Sequence, residues 1–116
     1  MHSIVTRKEG NKTYHDITLT RGDTLFLQLS LTKNGQSYTP DQQASVRFAM
    51  KSKYTDEEPV LLKTVPIDTL LLQIASADTK PLKMKKTYVY DIELTDENGY
   101  VDTFIEGNFT VDEEVM

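Results

Sequence analysis

Apolar residues recur at every second position through most of this chain, and the runs they mark are short. The clearest run lies between Tyr88 and Val111. Tyr88, Tyr90, Ile92 and Leu94 fall on one face, while Thr87, Val89, Asp91, Glu93 and Thr95 fall on the other. A second run, from Tyr100 to Val111, follows Asp96-Glu97-Asn98-Gly99. Asn and Gly tolerate the positive φ angles of tight turns, so Asn98-Gly99 predicts a hairpin. The rest of the chain must then supply strands that cover the hairpin's apolar face.

Upstream, Thr24 to Thr32 alternates in the same way. Leu25, Leu27, Leu29 and Leu31 point one way and Thr24, Gln28, Ser30 and Thr32 the other, with Phe26 out of pattern on the polar face. Lys33-Asn34-Gly35-Gln36 predicts the next turn. Ala44 to Lys51 sends Val46, Phe48 and Met50 inward. Val60 to Val65 is a short strand stopped by Pro66, and Leu70 to Ala75 is another, with Leu70, Leu72 and Ile74 on one side. Ile17 to Thr20 is a short strand ended by Arg21-Gly22-Asp23. Residues 1–16 read as a loosely held arm or an edge hairpin, with Ile4-Val5-Thr6 pairing back on Thr13-Tyr14-His15 across Glu9-Gly10-Asn11-Lys12. Ser76-Ala77-Asp78-Thr79 predicts one helical turn, with Ser76 as its cap and Asp78 at its positive end.

Seven or eight short strands at regular spacing, with one helical turn, predict an all-β fold: a single-domain antiparallel β-sandwich. Short connections exclude βαβ crossovers. The helical turn just before Tyr88 points to an immunoglobulin-like arrangement, in which a tyrosine near the start of such a strand bonds back to upstream backbone. Tyr88 fits that role, with Tyr90 filling the core two residues on; Tyr88 as a plain core aromatic is the other reading. A small closed barrel is the alternative fold.

Composition narrows the function classes. A chain of 116 residues is about one domain long and buries roughly 65% of the surface its unfolded form exposes. The apolar share is 38%, which suits a thin two-layer core. A net charge of −5 is opposite to that of a nucleic-acid binder. There are no cysteines, which rules out disulfides, thiolate metal sites and thiol nucleophiles and favours a bacterial or viral source over a small secreted animal domain. The first residues lack the apolar stretch of a signal peptide, and no run approaches the length of a membrane span.

Catalytic chemistry is scarce. The histidines are His2 and His15, without metal-ligand spacing and without a Gly-x-Ser-x-Gly. The glycines at 10, 22, 35, 99 and 107 form no phosphate loop. Asp91 and Glu93 share one strand face at a spacing glycoside hydrolysis can use, but on the face expected to be solvated. The acidic residues from Asp112 to Glu114 match no calcium loop. Arg21-Gly22-Asp23 resembles an adhesive tripeptide but is explained by its turn chemistry. The lysines from Lys80 to Lys86 read as a linker whose stems cover one end of the sandwich. No catalytic, cofactor-binding or metal-ligating residues are assigned, and no cofactor is expected. The candidate contact residues are Phe26, Tyr100 and Phe104, aromatics on polar or mixed faces.

Two stretches carry a family resemblance. One is Ile17-Thr18-Leu19-Thr20-Arg21-Gly22-Asp23-Thr24, followed by an alternating strand and Asn34-Gly35. The other runs from Lys86 to Thr95, through Asn98-Gly99, to Ile105-Glu106-Gly107-Asn108-Phe109-Thr110-Val111. Together they resemble the N-terminal immunoglobulin-like domain of siphophage baseplate upper proteins, and related short prophage proteins of gut bacteria. The baseplate proteins continue into a linker and a receptor-contacting part. The resemblance therefore implies a non-enzymatic virion accessory domain or a prophage remnant. Its expected partners are other virion proteins and further copies of itself, with no nucleic acid and no membrane. Its expected location is the virion, or the host bacterial cytoplasm during assembly. A carbohydrate-binding or adhesive sandwich is the alternative, and a small hydrolase the third reading.

Overall fold

The computed structural model describes residues 2–113. In chain order the elements are β1 (His2–Glu9), β2 (Lys12–Thr20), β3 (Leu25–Gln28), β4 (Thr32–Lys33), β5 (Gln36–Ser37), β6 (Ser45–Lys51), β7 (Leu61–Val65), β8 (Leu71–Ile74), α1 (Ser76–Thr79), β9 (Lys86–Thr95) and β10 (Val101–Asp112). Six strands form one sheet in the order β1-β2-β10-β9-β6-β7; β3 pairs with β8, and β4 with β5. The all-β expectation holds.

Several details differ from the sequence reading. The large sheet is mixed, because β2 runs parallel to β10. These two strands are far apart in the chain, so no short hairpin fixes their relative direction. There are ten strands among the described residues rather than seven or eight. The extra ones are β1, β4, which a break in the leucine run sets apart, and β5, which pairs back on it. The run pairs as β3, loses its ladder over residues 29–31 and resumes as β4, yet its period persists: Leu25, Leu29 and Leu31 are buried and Leu27 is half-buried. Ile17 to Thr20, expected as a separate strand, is the end of the nine-residue β2.

The turns follow residue chemistry. Asn34 and Gly35 both have positive φ, 52° and 76°, as a two-residue type I′ hairpin requires. Between β1 and β2 only Gly10, the first central residue, has positive φ, the pattern of a type II′ turn. Between β9 and β10 only Gly99 does, so Asn98-Gly99 is not the two-residue turn expected. Instead Gly99 N–H donates to the Asp96 carbonyl, and Asp96 Oδ1 accepts from the N–H groups of Asn98 and Tyr100. An Asp holding its own loop in this way competes well with a tighter turn. The helical turn forms where predicted, but Ser76 is its first residue, not its cap. Ala75 is the N-cap, and its N–H donates to Asp78 Oδ2 at 2.7 Å.

The core lies between the large sheet and the β3–β8 pair. Tyr88, Tyr90, Ile92 and Leu94 are all buried, as their spacing predicts. At the centre three rings meet: Phe48 of β6 stacks on Tyr90 of β9 at 5.5 Å, and Phe109 of β10 meets both edge-on at 6.3 Å. Tyr88 Oη accepts from the N–H of Lys83 at 3.1 Å, the backward bond the sequence pointed to.

Just before Ile17, β2 parts from β10, and side chains replace the ladder. The His15 carbonyl accepts from Tyr90 Oη at 2.5 Å, and Asp16 Oδ1 accepts from Asn108 N–H at 2.9 Å. Arg7 of β1 donates twice to the same carboxylate, at 2.7 and 3.3 Å. The Arg7 bonds, helped by Asn108, hold the Asp16 carboxyl below the ordinary carboxylate range despite partial burial. A depressed value means the ionised form favours the fold. Its contribution is present above the unfolded pKa, about 4, and is lost as pH falls through the folded value. Asp16→Asn should therefore lower the melting temperature at pH 7, and the gap to wild type should close on acidification below about pH 4. A gap that persists undiminished in acid would show that the charge does not anchor the hairpin.

Candidate contact surfaces

The two layers are unequal in width. Strands lie about 4.8 Å apart, so a two-stranded layer cannot cover a six-stranded one. Beneath β1 and the first half of β2 the inner face stays open. There a cleft of about 370 Å³ is lined by Ile4, Leu27, Leu29, Phe104 and Ile105, with His15 at its polar side. Phe104 reaches it through a register shift between Thr103 and Ile105. Its ring stacks on Tyr38 at 6.1 Å, so Phe104 is half-buried rather than free.

The other two candidate aromatics lie elsewhere. Phe26 is 56% exposed on the outer side of β3, opposite Gln73 of β8, with Leu71 exposed on the same face. Tyr100, 71% exposed, sits at the tip of the β9–β10 hairpin. Among the described residues no ring contact joins Phe26, Tyr100 and Phe104, so they do not form one patch.

The outer face of the large sheet carries a row that sequence spacing alone could not assemble. The strand registers set Arg7 beside Tyr14, and bring Glu106, Asp91, Ala49 and Leu62 into line across β10, β9, β6 and β7. The Arg7 guanidinium lies over the Tyr14 ring at 4.3 Å, and Lys12 pairs with Glu106 at 2.8 Å. Tyr54, from the charged loop, borders a hollow beside Asp91, Lys51, Ala49 and Val89. Strand pairings between distant segments create this row; only the alternation within each strand was legible beforehand.

The Asp91–Glu93 pair is divided between two environments. Glu93 is engaged by Arg47 of the neighbouring strand. Asp91 is half-buried, and burial followed by the charge of Glu93 pushes its carboxyl up, against smaller opposing effects of Arg47 and Lys51. The hollow that Asp91 lines does not include Glu93. A raised value means the fold prefers the protonated form, so ionised Asp91 costs stability at neutral pH, and the cost sets in as pH rises from the unfolded value through the folded one. Asp91→Asn should raise the melting temperature at pH 7 by a few degrees and leave it nearly unchanged at pH 3. A lower melting temperature at pH 7 would show that the carboxylate is well compensated.

The remaining motifs are absorbed by packing. Gly22 has a φ of 89°, and its N–H donates to Oγ1 of the fully buried Thr79 at 2.8 Å, so Arg21-Gly22-Asp23 is a turn tied down on α1. Lys86 lies over the Tyr88 ring at 5.1 Å and Lys85 pairs with Glu113 at 3.0 Å, so part of the lysine group covers the end of the sandwich. Among the described residues no three His, Asp or Glu side chains are gathered to hold a metal ion. Among them, too, no helix is long and apolar enough to cross a membrane. A scan against protein-family models finds no match for this chain, and a search of curated proteins finds no relative.

Proposed function

We propose that this chain is a non-enzymatic, immunoglobulin-like β-sandwich that serves as an assembly module in a phage or prophage particle, in the baseplate, tail or head. It acts in the virion, and in the host bacterial cytoplasm during assembly, by docking its surfaces on other virion proteins. The observation that carries this reading is the open mouth of the sandwich, where Ile4 and Phe104 line a cleft of mixed polar and apolar character beside β1, the edge strand of the large sheet among the described residues. Surfaces are offered to partners there, and the one acidic pair of interest is split between separate environments.

The immunoglobulin-like reading has its own support. The β7-β6-β9-β10 order matches the C′CFG sheet of such domains, β3 and β8 match strands B and E, and the Tyr88–Lys83 bond matches their tyrosine corner. The resemblance to baseplate upper proteins supplies the particle.

The deciding experiment is mass spectrometry of particles banded on a density gradient after induction of the producing strain. The chain should band with the particles at a copy number comparable to a structural protein. Its expression in the cell together with absence from the band would overturn the proposal. The exposed Tyr54 beside Asp91 and Lys51 favours one rival, a carbohydrate-binding face. A glycan array without hits removes it.

A further inference from the structure

The first strand is an edge, and its charged side chains, Arg7, Lys8 and Glu9, all sit at its turn end, which leaves residues 2–6 unguarded. Natural edge strands are commonly protected by proline, by a bulge or by inward-pointing charge. Residues 2–9 contain no proline, and their register against β2 is unbroken over all eight positions. The middle of the strand carries two exposed aliphatic residues, Ile4 at 45% and Val5 at 60%.

The hairpin turn sets which backbone groups are free. In a two-residue hairpin the residues flanking the loop exchange both of their backbone bonds, and the pattern alternates from there. Glu9 pairs with Lys12, so Arg7, Val5 and Ser3 direct their N–H and C=O groups toward β2. His2, Ile4, Thr6 and Lys8 direct theirs outward. The free backbone groups thus belong to the residues whose side chains face the cleft side, among them Ile4.

We propose that two copies of this chain pair antiparallel along their β1 edges, about a twofold axis that sets Val5 against Val5 of the second copy. This deepens the contact-module reading and rests on it. In that register Ile4 and Thr6 are hydrogen-bonded partners across the axis, as are His2 and Lys8. Arg7 faces Ser3, and no two lysine or arginine side chains are opposed. The outward phase of the backbone allows only shifts of two residues. One such shift toward the turn sets Ile4 against Lys8 and Val5 against Arg7, so Val5 loses its apolar partner and Ile4 faces a charge. A second sets Arg7 against Arg7. A shift the other way sets Ile4 against Ile4, but it sets Val5 against Ser3 and leaves only five residues paired. Apolar matching, charge and the number of paired residues together select one self-complementary register, the isologous contact that a closed dimer needs. The result is a continuous sheet of twelve strands built from two six-stranded ones. Its contact area is small, so the dimer is reversible and concentration-dependent.

The chain has no cysteine, which gives a register-specific test. Val5 would occupy a non-hydrogen-bonded pair with Cα atoms about 4.5 Å apart, inside the range a disulfide spans. Its side chain is exposed and its backbone bonds to β2 are untouched by substitution. Full-length Val5→Cys should cross-link to a covalent dimer under mild oxidation, whereas Glu9→Cys, at the end of the strand, should not. Light scattering from micromolar to millimolar concentration should show the wild type moving from monomer to dimer. Val5→Lys should stay monomeric with an unchanged far-ultraviolet spectrum. A wild type that remains monomeric at millimolar concentration overturns the proposal, as does equal cross-linking of the two cysteine variants. Either result, from a chain that still bands with particles, would remove the dimer and leave the assembly role standing.

Discussion

Gly107→Ala should destabilise this protein by about 3 kcal/mol, at the upper end of the cost of overpacking a filled site. A Cβ on Gly107 would lie 2.3 Å from the His15 carbonyl oxygen and 2.7 Å from its carbon. These are backbone atoms of β2, so no side chain can rotate away. Relief requires β2 to move by more than 1 Å, since ordinary contact begins at 3.4 Å. That movement breaks the Tyr90–His15 bond at 2.5 Å and the Asn108–Asp16 bond at 2.9 Å, and with them the grip of β10 on the first hairpin. Gly107 does not have a positive φ, so the cost is steric and not conformational. For a domain of this size about 3 kcal/mol is a fall of roughly 15 °C in melting temperature. Hydrogen exchange should show β1 and β2 losing protection before β6 and β9. A fall under about 3 °C would mean that β2 and β10 do not approach this closely.

That close approach explains what the sequence could reveal and what it could not. Period-two runs made the strands from Ser45 and from Lys86 plain, because each has one face against the core and one against water. The turns were plain where residue chemistry is strict: Asn34-Gly35 adopts the two positive φ angles its dipeptide favours. Gly107 was invisible as a contact residue, since it sits in an ordinary alternating run and its reason is a strand 92 positions earlier in the chain, at His15. Leu70 and Lys85 have φ of 53° and 63° without any turn signature. Leu70 does so at the bend where its carbonyl accepts from Leu29 N–H, a tertiary demand that overrides local preference. Parallel pairing of β2 with β10 was likewise unreadable, because alternation says which face is buried and nothing of a strand's direction. The same limit applied to the contact surfaces. Phe26 and Tyr100 are exposed, but Phe104 is covered by Tyr38, which lies just past the end of β5 and carries no periodic signal.

Phe48→Ala should cost about 4 kcal/mol, in the middle of the range for truncating a buried phenylalanine. Phe48 is fully buried, and its ring is stacked on Tyr90 and edge-on to Phe109. Truncation removes the transfer free energy of the ring and leaves a cavity that its neighbours cannot fill. Tyr90 is held in place by its bond to His15, and Phe109 by the pairing of β10 on both sides. The loss therefore falls on the whole large sheet, since β6, β9 and β10 each contribute one ring. Phe48→Leu, which keeps most of the volume, should cost far less. Urea denaturation of the two variants checks the ranking, with the slope unchanged if only stability is altered. Combining Phe48→Ala with Phe109→Ala should cost less than the two singly, because residues in contact share the same cavity. Simple additivity would mean that the two rings stabilise separate parts of the fold, and that this aromatic cluster is not the point where the three strands are joined.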